Sequence, residues 1–177
     1  MALADLGEVA RATGEYARAA SLYQESLELR SRRGFRGPAL ASLEHNLGAA
    51  ALAMGECASA GAHFLEALQE FAHLGERRGV ADCLSGLGTV LLESGQAREG
   101  VRLLGAAAAA FEALGSEPWP SNRRAQAHAI AGAQGILGQA AFAAAWQEGW
   151  CLPVEEAVAL ACRRTEDVSS ATPRASG

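Results

Sequence analysis

In 177 residues the chain carries 20 acidic and 15 basic groups, for a net charge of -5, and half of its residues are apolar while only 6% are aromatic. That is one domain's worth of globular composition, without the basic footprint that a nucleic-acid backbone attracts, and an acidic surface is repelled by anionic lipid. Abundant Ala favours helix over sheet, no apolar run nears the roughly 20 residues that cross a bilayer, and Met1 enters an amphipathic segment without an export signal, so a cytoplasmic, all-α protein is expected.

The first expected helix, 2–13, sets Leu3, Leu6 and Ala10 on one face, with Gly7 in its middle. The second, 16–33, sets Ala19, Tyr23 and Leu27 against it, and Gly14 and Gly34 stand where the two helices stop. Pro38, after Gly37, opens the third helix at the position where its missing amide hydrogen costs nothing. Helices 38–54 and 57–74 repeat the pattern with Leu43, Leu47, Ala51 and then Ala60, Phe64, Leu68, closed by Gly55 and Gly75. Helices 79–94 and 97–114 repeat it again with Leu84, Leu87, Leu91 and then Gly100, Leu104, Ala108, closed by Gly95 and Gly115.

Leu6-Gly7, Leu47-Gly48 and Leu87-Gly88 are therefore spaced by 41 and 40 residues. A period of that length marks a helical repeat array, in which each helix pair buries its apolar face by stacking on its neighbours. A glycine inside a helix costs about 1 kcal/mol relative to Ala, so a partner helix is expected to press close against Gly7, Gly48 and Gly88.

After the third pair, residues 116–121 hold Pro118 and Pro120 and read as a turn, with Trp119 as a packing anchor. Ser121 is placed to cap a helix over about 122–137 that Gly138 ends, and a further helix carries Phe142 and the packing anchor Trp146. Leu152-Pro153 opens another, with Val154, Val158 and Leu160 on its apolar side and Glu155-Glu156 at its positive end. Together 122–163 are expected to form a helical cap over the last repeat, and the polar, Ser-containing residues 164–177 a disordered tail.

Leu6-Gly7 followed by Ala19 and Tyr23, and Leu47-Gly48 followed by Ala60 and Phe64, resemble the tetratricopeptide repeat, TPR. A TPR is usually about 34 residues long, and HEAT or armadillo repeats run nearer 40. The extra residues fall at the end of the second helix and in the loop after it, while the Leu-Gly and Ala-aromatic spacings are kept, which favours elongated TPRs. The resemblance implies a right-handed helical-hairpin solenoid of three repeats, about 1–37, 38–78 and 79–115, followed by the C-terminal cap.

Phe71-Ala72-His73-Leu74-Gly75, Arg77-Arg78-Gly79, and Ala141 to Gly149 followed by Val154-Glu155-Glu156-Ala157-Val158 extend the likeness. They resemble the C-terminal TPR segment of bacterial signalling ATPases and of LuxR-type or AfsR-type transcriptional regulators. The absence of Lys among the basic residues fits a GC-rich bacterial coding sequence. The implied function is non-catalytic protein-protein interaction within such a regulator, and the alternative is an effector-sensing solenoid controlling an attached ATPase or DNA-binding domain. Met1 stands inside the first helix without a cap, so either the chain is part of a longer regulator or its N-terminal face meets a partner or a second copy.

No residue pattern nominates an enzyme or a cofactor. A phosphate-binding loop needs a Lys that the chain does not have, and no GxSxG elbow occurs. Gly34-Phe35-Arg36-Gly37 has no preceding strand and reads as an inter-repeat turn. His45, His63, His73 and His128 follow no metal-ligand spacing, and Cys57, Cys83, Cys151 and Cys162 read as buried structural thiols. Arg123-Arg124 and Arg163-Arg164 are short basic pairs that read as solvated surface, and direct nucleic-acid binding is not expected.

The first helices of the stacked pairs should line a concave side. Away from the core stripe they offer Asp5, Glu8, Arg11, Ser42, His45, Asn46, Ala49, Asp82, Ser85, Thr89 and Glu93. Asn46 directly precedes Leu47-Gly48, where the resemblance implies an Asn that grips a bound peptide backbone. The acidic members favour a neutral or basic partner segment.

Overall fold

The computed structural model describes residues 2–35, 37–118 and 120–171, without side chains at 120–122, 124, 125 and 166–171. Trp119, Arg36, Met1, the Arg124 side chain and residues 172–177, each given a role above, lie outside the described residues. The described residues form nine helices and no strand, so the fold is all-α.

The helices are α1 (Leu3–Ala12), α2 (Tyr16–Arg32), α3 (Pro38–Ala53), α4 (Cys57–Leu74), α5 (Arg77–Glu93), α6 (Ala97–Ala113), α7 (Pro120–Leu137), α8 (Gln139–Trp150) and α9 (Val154–Ala171). From α1 to α6 each helix packs on the next, and the short connections make neighbours antiparallel. α5 also touches α3, α7 and α9, while α8 packs on α6.

One turn recurs at the helix ends. Gly14, Gly55 and Gly95 take φ of +82°, +79° and +82°, and the following amides of Glu15, Glu56 and Gln96 donate to the carbonyls of Ala10, Ala51 and Leu91 at 2.8–2.9 Å. This six-to-one bond satisfies a carbonyl that the helix end would leave unpaired, and only glycine takes that φ without strain.

The mid-helix glycines have their compensation. A Cβ at Gly7 would meet the ring of Tyr23, one at Gly48 the ring of Phe64, and one at Gly88 both Leu104 and the carbonyl of Gly100. Tyr23, Phe64 and Leu104 are fully or almost fully buried in these contacts. The core stripes expected above are buried except at Leu3, Leu6, Leu27 and Ala108, which are half-buried.

The C-terminal third departs from expectation in three ways. α7 begins at Pro120, so Ser121 lies within its first turn and is not its cap. α9 folds back onto α4, α5 and α6, burying Ala157, Leu160, Ala161 and Thr165. It also continues to Ala171, where composition suggested a disordered tail from 164. Within it Thr165 donates to the Ala161 carbonyl at 2.8 Å and sets its methyl over Gly61 of α4. Among the described residues no helix is long and apolar enough to cross a membrane.

Candidate functional site

Between α1, α3 and α5 lies a cleft of about 440 Å³. α1 contributes Glu8 and Arg11, α3 contributes Pro38, Ser42, His45 and Asn46, and α5 contributes Arg78, Gly79 and Asp82. Phe71 near the end of α4 and Glu76 in the turn before α5 complete the wall. Helical periodicity places residues three and four apart on one face, which is why Glu8 with Arg11, Ser42 with His45 and Asn46, and Arg78 with Asp82 all reach it.

Glu8 organises one side. Its carboxylate accepts from Arg11 Nη2 at 2.7 Å, from the buried Tyr23 hydroxyl at 2.7 Å, and from Asn46 Nδ2 at 2.8 Å. Burial beside the acidic Glu8 pushes the Tyr23 hydroxyl well above its ordinary pKa. Burial opposes the Arg11 charge, but the contacts with Glu8 outweigh it and raise the guanidinium pKa.

Glu8 can only accept, so the Asn46 amide nitrogen must point to it and the amide oxygen turns toward His45 Nδ1, 3.4 Å away. The His45 tautomer protonated on Nδ1 is the one that can donate to that oxygen. Its ring is buried edge-on to Phe64, with centroids 5.4 Å apart, and burial lowers its pKa to about 4. Asn46 is therefore committed to the protein's own network, tying α3 to α1, in addition to facing the cleft.

The other side is held less completely. Asp82 is 6% exposed, and its Oδ1 is buried with no hydrogen-bond partner. Its Oδ2 lies 3.8 Å from Arg78 Nε, beyond hydrogen-bond reach. Arg78 is drawn elsewhere, donating from Nη2 to the Glu117 carbonyl at 2.9 Å. Burial raises the Asp82 pKa to about 6 despite the nearby Arg78 charge. Below it Phe71 presses against the backbone of Gly79, where a Cβ would overlap its ring.

Six of the expected groove residues thus come together: Glu8, Arg11, Ser42, His45, Asn46 and Asp82. Four do not. Asp5 is exposed and accepts from the Ala2 amide at 3.1 Å, holding the start of α1. Ser85 and Thr89 are buried, with Thr89 donating to the Ser85 carbonyl, because α5 is enclosed by α3, α4, α6, α7 and α9. Glu93 is exposed at the end of α5, where its charge helps burial raise the Cys57 thiol pKa. Ala49 packs half-buried against the core. Pro38, Phe71, Glu76, Arg78 and Gly79 line the cleft outside the expected groove set, and the Phe71 to Gly79 interval across a glycine turn is the signal in the sequence that points to the last four.

The cysteines differ from expectation: Cys83 is buried, Cys57 and Cys162 are half-buried, and Cys151 is exposed at the end of α8. Among the described residues no three His, Cys, Asp and Glu side chains gather as a metal set. A second depression between α6 and α9 is lined by Arg102, Arg163 and Arg164 with Glu156, but Arg102 and Arg164 face Glu99. Compared with protein-family models, with curated proteins and with solved structures, the chain matches none.

Proposed function

We propose that the chain is a non-catalytic interaction module, an elongated TPR solenoid of right-handed hairpins belonging to a bacterial transcriptional regulator or signalling ATPase. Its α1, α3 and α5 present a concave face to a partner segment of neutral or basic character. The observation that carries this reading is the cleft itself. It is built from the first helices of three successive pairs and holds a buried carboxylate, Asp82, whose Oδ1 has no hydrogen-bond partner. A partner group entering it lies against that carboxylate and covers the exposed Pro38.

Ser42 stands exposed at the cleft, so Ser42→Trp blocks it without touching the core. Immobilised wild-type chain is expected to retain a specific protein from host lysate, and the blocked variant to lose it. Equal recovery by both, or recovery of nothing specific, removes the reading. A small effector is the second reading, since the cleft volume of about 440 Å³ falls within the range of roughly 300–1,000 Å³ usual for such sites. A metabolite that raises the melting temperature of the wild type but not of the blocked variant favours it. Val9, Leu29 and Phe35, exposed on the α1–α2 hairpin, are the residues through which self-association would run. Light scattering that returns a monomer mass at every concentration excludes it.

A further inference from the structure

Resting on the interaction-module reading, we propose that the cleft receives the guanidinium of an arginine carried by the partner segment, with Asp82 as its acceptor. A carboxylate 6% exposed needs both an opposite charge and hydrogen bonds to offset its lost hydration. Asp82 has neither in full: Oδ1 has no partner, and Arg78, anchored on the Glu117 carbonyl, stands 3.8 Å from Oδ2.

The chemistry of the surroundings selects the visitor. The cleft holds Glu8, Glu76 and Asp82 against Arg11 and Arg78, one negative charge in excess. Glu8 already accepts three hydrogen bonds, one of them from Arg11, so that carboxylate is satisfied. The unmet demand sits at Asp82, in a cleft whose wall also includes the edge of the largely buried Phe71. A guanidinium answers both features, since it donates in a planar fork to a carboxylate and lies against aromatic surface. A carboxylate-ended ligand would instead set a second negative charge beside one that Arg78 compensates only in part.

The test is a titration of the full chain, followed by backbone amide NMR shifts, with three probes: acetyl-Gly-Gly-Arg-Gly-Gly-amide, the same peptide with citrulline for Arg, and agmatine. Citrulline keeps the shape and most donors but not the charge. The arginine peptide is expected to shift the amides of Ser42, Gly79 and Asp82, the citrulline peptide to bind at least tenfold more weakly, and Asp82→Asn to reduce the arginine peptide's affinity at least tenfold. Ser42→Trp, which leaves Asp82 intact, is expected to abolish the shifts. Equal binding of the citrulline and arginine peptides overturns the proposal while leaving peptide docking in place. Agmatine binding without peptide binding also overturns it, assigning the site to a small free guanidinium compound and not to an arginine carried by a partner segment. No shift with any probe overturns it too, whereas a partner still captured from lysate in a Ser42→Trp-sensitive way keeps the interaction-module reading.

Discussion

At the level of single residues, the cleft combines one saturated carboxylate with one starved one. Removing the Glu8 acceptor by Glu8→Ala leaves the buried Tyr23 hydroxyl and the Asn46 amide without their partner, and we expect a loss of about 2 kcal/mol in urea unfolding. Glu8→Gln keeps an acceptor and should lose less. Two neighbouring groups give opposite pH dependences. His45, with its pKa lowered from 6.5 to about 4, contributes stability that is present above pH 6.5 and lost as pH falls toward 4, on the order of 3 kcal/mol in total. Asp82, raised from 3.8 to about 6, contributes in the reverse sense: its share is present below pH 3.8 and lost as pH rises through 6, again on the order of 3 kcal/mol. The two slopes nearly cancel in the wild type between pH 4 and 6.5. Single variants separate them, so Asp82→Asn should become more stable from pH 4 to 6.5 and His45→Leu less stable. Urea midpoints across that range check both, and parallel curves for the two variants would contradict the assignment. A residue that lowers stability at neutral pH while facing a cleft is where a function is worth seeking.

At the level of elements, glycines decide how closely helices cross. A Cβ on Gly149 of α8 would overlap the Arg102 carbonyl of α6, and one on Gly105 would overlap the Trp146 carbonyl. Backbone cannot yield as a side-chain tip does, so Gly149→Ala should separate α8 from α6 and cost about 3 kcal/mol. Gly132 and Gly135 on α7 have open space around them, and there the same change should stabilise by about 0.5–1 kcal/mol through better helix propensity. Thermal melts of the three variants give the contrast in sign. These crossings also explain what the sequence disclosed. The helix ends were legible because a glycine with positive φ is a local signal, and Gly7, Gly48 and Gly88 announced close neighbours because their cost demanded one. Glu8, Arg11, Ser42, His45 and Asn46 were legible from helical spacing alone. Ser85 and Thr89 followed the same spacing and were misplaced, because the enclosure of α5 depends on α7 and α9 folding over it. Phe71 and Glu76 escaped notice since they join the cleft through the α4–α5 turn, not through a periodic face.

At the level of the whole molecule, α9 joins the two ends of the structural argument. It is the last helix among the described residues, yet it lies on α4, α5 and α6, and Ala157, Leu160 and Ala161 belong to the same apolar cluster as Phe64, Leu68 and Leu84. A helix that merely covered the last pair would leave that middle cluster complete without it. Burying Leu160 fully is worth about 2–3 kcal/mol, and the two alanines with half-buried Val154 and Val158 add roughly as much again, as an upper figure. Stopping the chain after Pro153 is therefore expected to lower stability by about 4–6 kcal/mol and to expose apolar surface that binds a hydrophobic dye. Leu160→Ala alone should cost about 3 kcal/mol with the dye excluded. The cleft draws its lining from α1, α3, α4, α5 and the turn before α5, none of it from α9. If the shortened chain still folds, the arginine peptide should bind it with unchanged affinity. A shortened chain as stable as the full one would show that α9 rests on the core without belonging to it.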